Sequence, residues 1–576
     1  MRFSASPVLA LTLPAWRSSF LVVVCIAGFA VLVGRAVYLQ GLNNDFLQAK
    51  GESRYSRVIE MPANRGRILD RNGEALAVST PVKSIWAIPD DVRLSRRELA
   101  RLAALLETSP SEIEKRLADT GRDFVFLKRQ IPPQTAERVA ALRIPGIFQN
   151  REYRRYYPGG EVMAHALGFT GADDVGQEGI ELAFQESLAG KPGSRRVIKD
   201  RLGQTVEDVE SIKAAQDGHD LVLALDARIQ NLAFNHLRAA VAHHRAQAGS
   251  IVAIDVNTGE VLALANFPTF NPNNRSRLSG AQLRNRTVTD TFEPGSTLKP
   301  FTIALALESG NVRPDTVIQT APGRLSIGPA TIRDAHTERA LTVAQIIQKS
   351  SNVGAAKIAL ALPAESMWEM FQALGFGSAP QLGFPGEASG KLRPYQSWRP
   401  IEQATMSYGH GISVSLIQLA RAYSVFARDG ELVPLSLVRV EVPPVGRRVI
   451  APATARAVRA MLELAVNRNG TAPRAQIMGY RVAGKTGTAH KQEDGVYVAD
   501  KYVSSFVGFA PASSPRLVIA VMIDEPSDGR YYGGTVAAPV FAQVMAGALR
   551  LLDVSPDAPM RPLELPAEGD EVKESI

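Results

Sequence analysis

Residues 292–307 read FEPGSTLKPFTIALAL. Pro294-Gly295 is a chain breaker and the residues from Thr297 onward are helix formers, so Ser296 is predicted at a helix N-terminus. Pro300 agrees with this placement. It cannot donate to the carbonyl of Ser296 four residues back and is tolerated only near a helix start. Ser296 and Lys299, three residues apart, then lie on one helix face within hydrogen-bonding reach. A serine hydroxyl is a weak nucleophile until a neighbouring base takes its proton. A lysine serves as that base only if burial or a second cation disfavours its ammonium form. The free N–H groups and positive dipole at a helix start favour a developing oxyanion. Alone, the pair carries little weight: at ordinary Ser and Lys usage a chain of 576 residues holds roughly two S-x-x-K matches by chance. The plain alternative for any one of them is a capped helix with a surface lysine.

Two further elements follow in order. Ser350-Ser351-Asn352, in QKSSNVGAAKIA, comes after the apolar helical run LTVAQIIQ. Its outer members could project into a cleft from a short loop, Ser350 to relay a proton to a leaving amine and Asn352 to hold a substrate amide. A helix cap is the competing reading, and Ser-Ser-Asn makes one well. Next, RVAGKTGTAHK carries Lys485-Thr486-Gly487-Thr488. It reads as a strand at a sheet edge, where Gly487 lets another backbone come close. Lys485 would supply the second cation that keeps Lys299 neutral, and Lys485, Thr486 and Thr488 together could bind a carboxylate. By letter, residues 479–486 also match the phosphate loop G-x-x-x-x-G-K-[ST], but Tyr480, Arg481 and Val482 are bulky strand formers, not a flexible cradle. An exported domain would also have no nucleotide supply.

Export is expected from the N-terminus. Residues 20–34 (FLVVVCIAGFAVLVG) carry no charge, and residues 18–40 are long enough to span the roughly 30 Å hydrocarbon core as a helix. Arg2 and Arg17 precede the span, which places a short N-terminus, 1–17, in the cytoplasm and the remainder outside. No A-x-A-like site closes the apolar run, so an uncleaved anchor is expected rather than a signal peptide. The composition, 45% hydrophobic and 21% charged, is that of a folding chain. A net charge of +8 with no long Lys/Arg block and no nucleic-acid-binding signature argues against nucleic acid as partner. The single cysteine, Cys25, excludes an intramolecular disulfide and a Cys-based zinc site. His243 and His244 are expected on different faces of a helix, so no metal site is expected, nor any cofactor.

Residues 42–57 read as a stalk. RGRILDRNGEALAVS, residues 65–79, suggests two strands around an Asn72-Gly73 turn. Residues 94–144 have helical periodicity, with Ser95 as cap and Leu99, Leu102 and Leu106 on one face. For the basic-aromatic stretch 151–171 a structural role is expected. Near residue 217 the character changes. A strand at 220–225 leads to a helix opened by Asp226, and SIVAIDVNTGEVLALAN reads as a hairpin with alternating flanks. Late strands are expected at 503–510 and 516–523. Beyond Ser555 the chain is rich in Pro and Glu and poor in apolar residues, and reads as disordered.

S-x-x-K, S-x-N and K-T-G in this order resemble the penicillin-recognising serine acyltransferases. The stretches 65–73, 154–160 (RRYYPGG), 176–181 (GQEGIE), 407–415 (SYGHGISVS) and 531–541 (YYGGTVAAPVF) are similar to class B penicillin-binding proteins, most of all to the division-specific (septal) type. The resemblance implies an α/β (α+β) penicillin-binding transpeptidase fold at 217–553, an antiparallel sheet sandwiched by helices. An extended α+β pedestal or dimerisation domain at 41–216 and one transmembrane helix would precede it, and a tail at 554–576 would follow. It further implies a peptidoglycan D,D-transpeptidase in which Ser296 attacks the penultimate D-alanine carbonyl of a stem peptide, on lipid-linked or nascent strands. Lys299 would be the base, Ser350 with Asn352 the proton relay, and the backbone N–H groups of Ser296 and Thr488 the oxyanion hole. Lys485, Thr486, Gly487 and Thr488 would form the carboxylate-binding segment, and β-lactam antibiotics would acylate the same serine. The implied setting is the inner membrane with the catalytic domain periplasmic, beside a membrane glycosyltransferase and division-complex proteins. An elongation-specific class B enzyme and a non-catalytic β-lactam-binding scaffold are the competing readings. A β-lactamase would need a second base that the motifs do not supply, and a sensor would need more membrane spans.

Overall fold

The computed structural model describes residues 15–39, 56–118, 122, 124–199, 205–276, 278–493, 495–563, 565 and 572–575. Ala15–Val37 is one helix of 23 residues with a mean hydropathy of 2.5 and no buried side chain. At 1.5 Å per residue it is about 35 Å long, enough to cross a membrane. It starts three residues before the expected span. Most of the expected stalk, through residue 55, lies outside the described residues.

Two compact units divide the chain, which passes between them several times. The first comprises Met1–Ala63, Pro81–Glu152 and Lys191–Gln216; the second comprises Asn64–Thr80, Tyr153–Gly190 and Asp217–Ile576. In the first, Gly193–Lys199 is the central strand of an antiparallel sheet, between Ser56–Met61 and Thr205–Lys213. The same unit has a separate core built largely on helices. Arg96–Leu106 starts at a capping box between Ser95 and Glu98 and buries Leu99, Leu102, Ala103 and Leu106. These pack with Ile113, Val125, Leu127 and Ile131. The helical periodicity expected over 94–144 is interrupted: Val125–Ile131 is a strand paired with Lys83–Ala87. Val125 and Leu127 alternate with half-buried residues there, and Pro132-Pro133 ends the pairing, since a proline has no N–H to donate.

The second unit is built on a five-stranded antiparallel sheet. We label its strands β1 (Ala248–Asp255), β2 (Val261–Phe267), β3 (Ala483–Glu493), β4 (Val496–Ala510) and β5 (Leu517–Asp524); their spatial order is β2-β1-β5-β4-β3. The hairpin of β1 and β2 forms as expected, but its flanks do not alternate between core and water. All eight residues of β1 are buried, because helices cover both faces. Ile251 and Ala253 pack with Phe234 and Leu237 of α1 (Ala227–His243) and Phe541 and Val544 of α6 (Ala538–Leu551). Val252 and Ile254 belong to the opposite core, with Phe301 and Ile303 of α2 (Lys299–Glu308) and Leu419, Tyr423 and Phe426 of α5 (Leu416–Ala427). Between them in the chain, α3 (Val343–Lys349) and α4 (Asn352–Leu360) meet at a two-residue turn. Strand β3 lies at the sheet edge, as expected for the segment carrying Lys485.

The polar stretches outside the sheet also have a physical role. Glu181 is fully buried and accepts from Arg65 Nε and Arg155 Nε, each at 2.6 Å, while Arg65 also donates to the Glu181 carbonyl at 2.8 Å. This triad ties 64–80 to 153–190. Deleting the shared carboxylate leaves two buried guanidinium groups uncompensated, which typically costs about 3–5 kcal/mol. Glu181→Ala is therefore expected to lower the urea midpoint sharply. Arg67→Ala, which removes an exposed ion pair with Asp220, should leave it nearly unchanged.

Candidate active site

Ser296 lies in a 3-10 turn, Gly295–Leu298, that runs into α2. Helix α2 is apolar almost all round, burying Phe301, Ile303, Ala304 and Ala306, so Lys299 at its first position is carried into the interior with no exposed surface. The turn is fixed from several sides. Tyr423 Oη donates to the Thr297 carbonyl at 2.7 Å, and Thr302 Oγ1 donates to the Ser407 carbonyl at 3.1 Å. Gly295 has φ +56°, and a Cβ at Gly409 would come within 2.2 Å of its carbonyl oxygen. The SYGHG loop and the nucleophile turn thus touch backbone to backbone.

The sequence-predicted residues converge. Lys299 Nζ lies 2.8 Å from Ser296 Oγ, 3.0 Å from Ser350 Oγ and 2.6 Å from the Ser350 carbonyl oxygen. Lys485 Nζ donates to the same Ser350 Oγ at 3.0 Å and to Thr486 Oγ1 at 3.2 Å. Burial pushes the Lys299 pKa well below that of a free lysine, with the Lys485 charge the second cause; Asp334 and Glu574 oppose the shift. Burial likewise lowers Lys485, to about 8. Lys485 therefore contributes as the second cation, but burial is the larger reason that the ammonium form of Lys299 is disfavoured.

Ser350-Ser351-Asn352 divides between contact with the two lysines and a helix cap. Ser350 ends α3 in the left-handed region (φ +57°), a conformation costly for a residue with a Cβ, and this turns its carbonyl and hydroxyl toward the two lysines. Ser351 is the cap: its Oγ accepts from Gly354 N at 2.9 Å. Asn352 opens α4, donating weakly to the Arg333 carbonyl at 3.4 Å, and its buried Oδ1 has no partner. An unpaired buried amide oxygen is costly, and a ligand N–H would satisfy it. Asp334, absent from the sequence reading, holds this turn. Its carboxylate accepts from Asn352 N (2.6 Å), Val353 N (2.9 Å) and Ser351 Oγ (2.6 Å). Nothing in TIRDAH marks it, because its role arises only when the loop folds onto the start of α4.

On β3 the side chains share the work. Thr486 Oγ1 donates to Thr471 Oγ1 at 3.0 Å, and Thr488 Oγ1 accepts from Gly533 N at 3.0 Å. A Cβ at Gly487 would stand 2.7 Å from the Pro294 carbonyl oxygen, so the absence of a side chain lets β3 lie against the Ser296 turn. Thr471 and Gly533-Gly534 are additional members of this wall. Glu574, assigned to a disordered tail, is buried here, where it accepts from Thr488 Oγ1 at 3.0 Å and Gly534 N at 2.8 Å. Composition sees only the polarity of that tail and not the fit of one carboxylate to a buried, donor-lined pocket. His410 stands beside the site with its pKa lowered to about 4, first by burial and then by Lys299.

The histidine expectation is corrected. His243 ends α1 and His244 caps it, and their rings lie 4.8 Å apart, edge to face. His244 Nδ1 is 3.0 Å from Asp528 Oδ2, but Arg530 bonds both Asp528 and His243 Nε2. Its guanidinium supplies the positive charge that a metal would bring.

The chain is similar to known proteins over most of its length. Residues 249–546 match the family model of the penicillin-binding protein transpeptidase domain, and residues 60–223 that of the penicillin-binding protein dimerisation domain. The probable peptidoglycan D,D-transpeptidase PenA of Neisseria gonorrhoeae is 44% identical over 548 residues, 94% of each chain. The peptidoglycan D,D-transpeptidase FtsI of Escherichia coli K12 is 43% identical over 552 residues, 94% of this chain and 93% of that one. A solved transpeptidase domain of Burkholderia pseudomallei penicillin-binding protein 3 is 49% identical, with a TM-score of 0.55, covering 58% of this chain and 98% of that one.

The Lys299 environment makes a direct prediction. Replacing Lys485 by Ala removes the cation that adds to burial, so the Lys299 midpoint should move up, as followed by NMR titration of lysine labelled with 13C at Cε. An unchanged midpoint would show that burial alone sets it.

Proposed function

Because the chain belongs to the class B penicillin-binding proteins and is a membrane-anchored, penicillin-sensitive peptidoglycan D,D-transpeptidase, we propose that Ser296 is its acylated nucleophile and Lys299 the base. The observation that carries this assignment is the 2.8 Å contact between Lys299 Nζ and Ser296 Oγ, inside a pocket where burial disfavours the charged form of the amine. Lys299 takes the Ser296 proton as Oγ bonds to the carbonyl carbon of the penultimate D-alanine. The oxyanion is received by the backbone N–H groups of Ser296 and Thr488; a Cβ at Gly295 would lie 3.5 Å from Thr488 N, which supports their closeness. Collapse breaks the D-Ala–D-Ala peptide bond, and the proton reaches the leaving amine through Ser350 Oγ, which touches both lysines. The amine of a neighbouring strand then attacks the acyl-enzyme, returning Ser296 and completing the cross-link. Asn352 Oδ1 accepts from a substrate amide. Lys485, Thr486 and Thr488, with Gly487 admitting the close approach, bind the terminal carboxylate of the peptide or of a β-lactam.

We further assign the chain to septal cell-wall synthesis, on the strength of its similarity to FtsI over nearly the whole length. Arg2 and Arg17 ahead of the uncharged run at residues 20–34 favour a cytoplasmic N-terminus and a periplasmic catalytic unit in the inner membrane. Polymerisation would then fall to a membrane glycosyltransferase within a division complex. The proposed boundaries are 1–17, 18–40, 41–216 and 217–553, with the tail following.

The full chain in detergent, treated briefly with a penicillin, is expected to gain one drug mass, and Ser296→Ala to gain none. An intact mass unchanged in the parent chain would overturn the assignment. The acylation rate should be bell-shaped in pH. It rises as Lys299 loses its proton and falls as Lys485 loses its own, at about 8. A rate still climbing well above that value would remove Lys485 from carboxylate binding.

A further inference from the structure

The buried carboxylate of Glu574 occupies the wall that the proposed mechanism reserves for a substrate carboxylate. Its two oxygens divide between two donors, Oε1 accepting from Gly534 N at 2.8 Å and Oε2 from Thr488 Oγ1 at 3.0 Å. Lys485 and Glu574 also face one another electrostatically, for each opposes the pKa shift that burial imposes on the other. The next residue is held separately: Ser575 Oγ accepts from Ala335 N at 2.9 Å, beside the Asp334 that organises the α3–α4 turn. Residues 574–575 therefore bridge the β3 wall and the Asp334 loop, from one side of the Ser296 site to the other. Such a fit is not expected of a polar tail lying on a surface. A carboxylate this buried is stable only with its hydrogen bonds made, and here they are made by groups otherwise free to receive a ligand carboxylate.

We propose that the segment 572–575 is a tethered ligand of the carboxylate subsite, and that peptide or β-lactam must displace Glu574 before Ser296 is acylated. The proposal rests on the assignment of Thr488 and its neighbours as that subsite. The tether gives the carboxylate its effect. Asp557 is fixed to the domain, accepting from Arg481 N at 2.7 Å and Ser513 Oγ at 2.6 Å. Glu574 therefore competes intramolecularly, at an effective concentration of order mM for a short connection. A weak single-carboxylate contact is then occupied much of the time, and the apparent reactivity of Ser296 falls by the fraction of chains in the closed state.

The test uses the full chain in detergent and the second-order rate of labelling by a fluorescent penicillin. Glu574→Gln and a chain ended after Leu563 should both be labelled faster, by about two- to tenfold. Glu571→Gln, which removes the same charge elsewhere in the tail, should match the parent. Added in trans, the peptide Val-Lys-Glu-Ser should slow the shortened chain, and Val-Lys-Gln-Ser should not. Glu574→Gln labelled at the parental rate, or a peptide effect indifferent to the glutamate, would overturn the tethered ligand while leaving the Ser296 assignment intact. Failure of every chain to label would instead remove the active-site assignment and the tail proposal with it.

Discussion

Two lysine side chains with no exposed surface end on one hydroxyl. Lys299 Nζ and Lys485 Nζ each lie 3.0 Å from Ser350 Oγ, so they are at most about 6 Å apart. At an effective dielectric of about 20, two positive charges at that distance repel by ~3 kcal/mol, added to the cost of burying each one. The pocket therefore cannot readily hold both in the ammonium form. The lysine that gives up its proton more easily is Lys299, and it is the one in contact with Ser296. In the proposed mechanism, activation of the serine follows from burial and charge crowding at Lys299.

Such crowding is useful only if the three elements that create it cannot relax apart. Helix α2 supplies Lys299 from a surface apolar on nearly every side; any rotation that freed the lysine would expose Phe301 or Ile303. Strand β3 supplies Lys485 from a sheet edge, and Gly487 lets that edge come against the Pro294 carbonyl. The α3–α4 turn supplies Ser350 in a left-handed conformation, held by Asp334 through three hydrogen bonds to the next residues. The sheet buried on both faces is the frame that gives these pieces fixed positions. The local strain at Ser350 is sustained by the capping contacts around it.

Much of this was legible in the amino-acid order. Ser296 at a helix start, Lys485 on an edge strand and the β1–β2 hairpin follow from Pro, Gly and apolar spacing, which act over a few residues. What sequence spacing could not reveal depends on contacts between distant segments. Asp334 matters because its loop returns to the start of α4, and Thr471 because it meets Thr486 fifteen residues later. The alternation expected in β1 failed because helices from both ends of the domain cover its two faces. The strand at 125–131 hid within helical periodicity because Leu, Lys, Arg and Gln are good helix formers, and pairing with 83–87 overrides that preference. His243 and His244 were separated on an ideal helix, yet the helix ends between them. The tail was read from composition, which averages over residues and cannot register a single carboxylate finding a pocket.

The distribution of satisfied and unsatisfied groups separates the two tasks of the site. On the proton-transfer side Lys299 Nζ already touches Ser296 Oγ, Ser350 Oγ and the Ser350 carbonyl, and Ser350 Oγ is shared between both lysines, so little reorganisation is needed when charge moves. On the recognition side the groups need something from outside. Asn352 Oδ1 is buried without a partner, and the hydroxyl proton of Thr488 and the N–H of Gly534 go to a carboxylate brought by a distant part of the chain. A ligand that carries both an amide N–H and a carboxylate meets both needs at once, whereas the tail offers its carboxylate to one wall and leaves Asn352 unpaired. That difference gives a D-Ala-D-Ala peptide or a β-lactam an advantage over the tail, and it lies on the side of the site where specificity is decided rather than where the serine is activated.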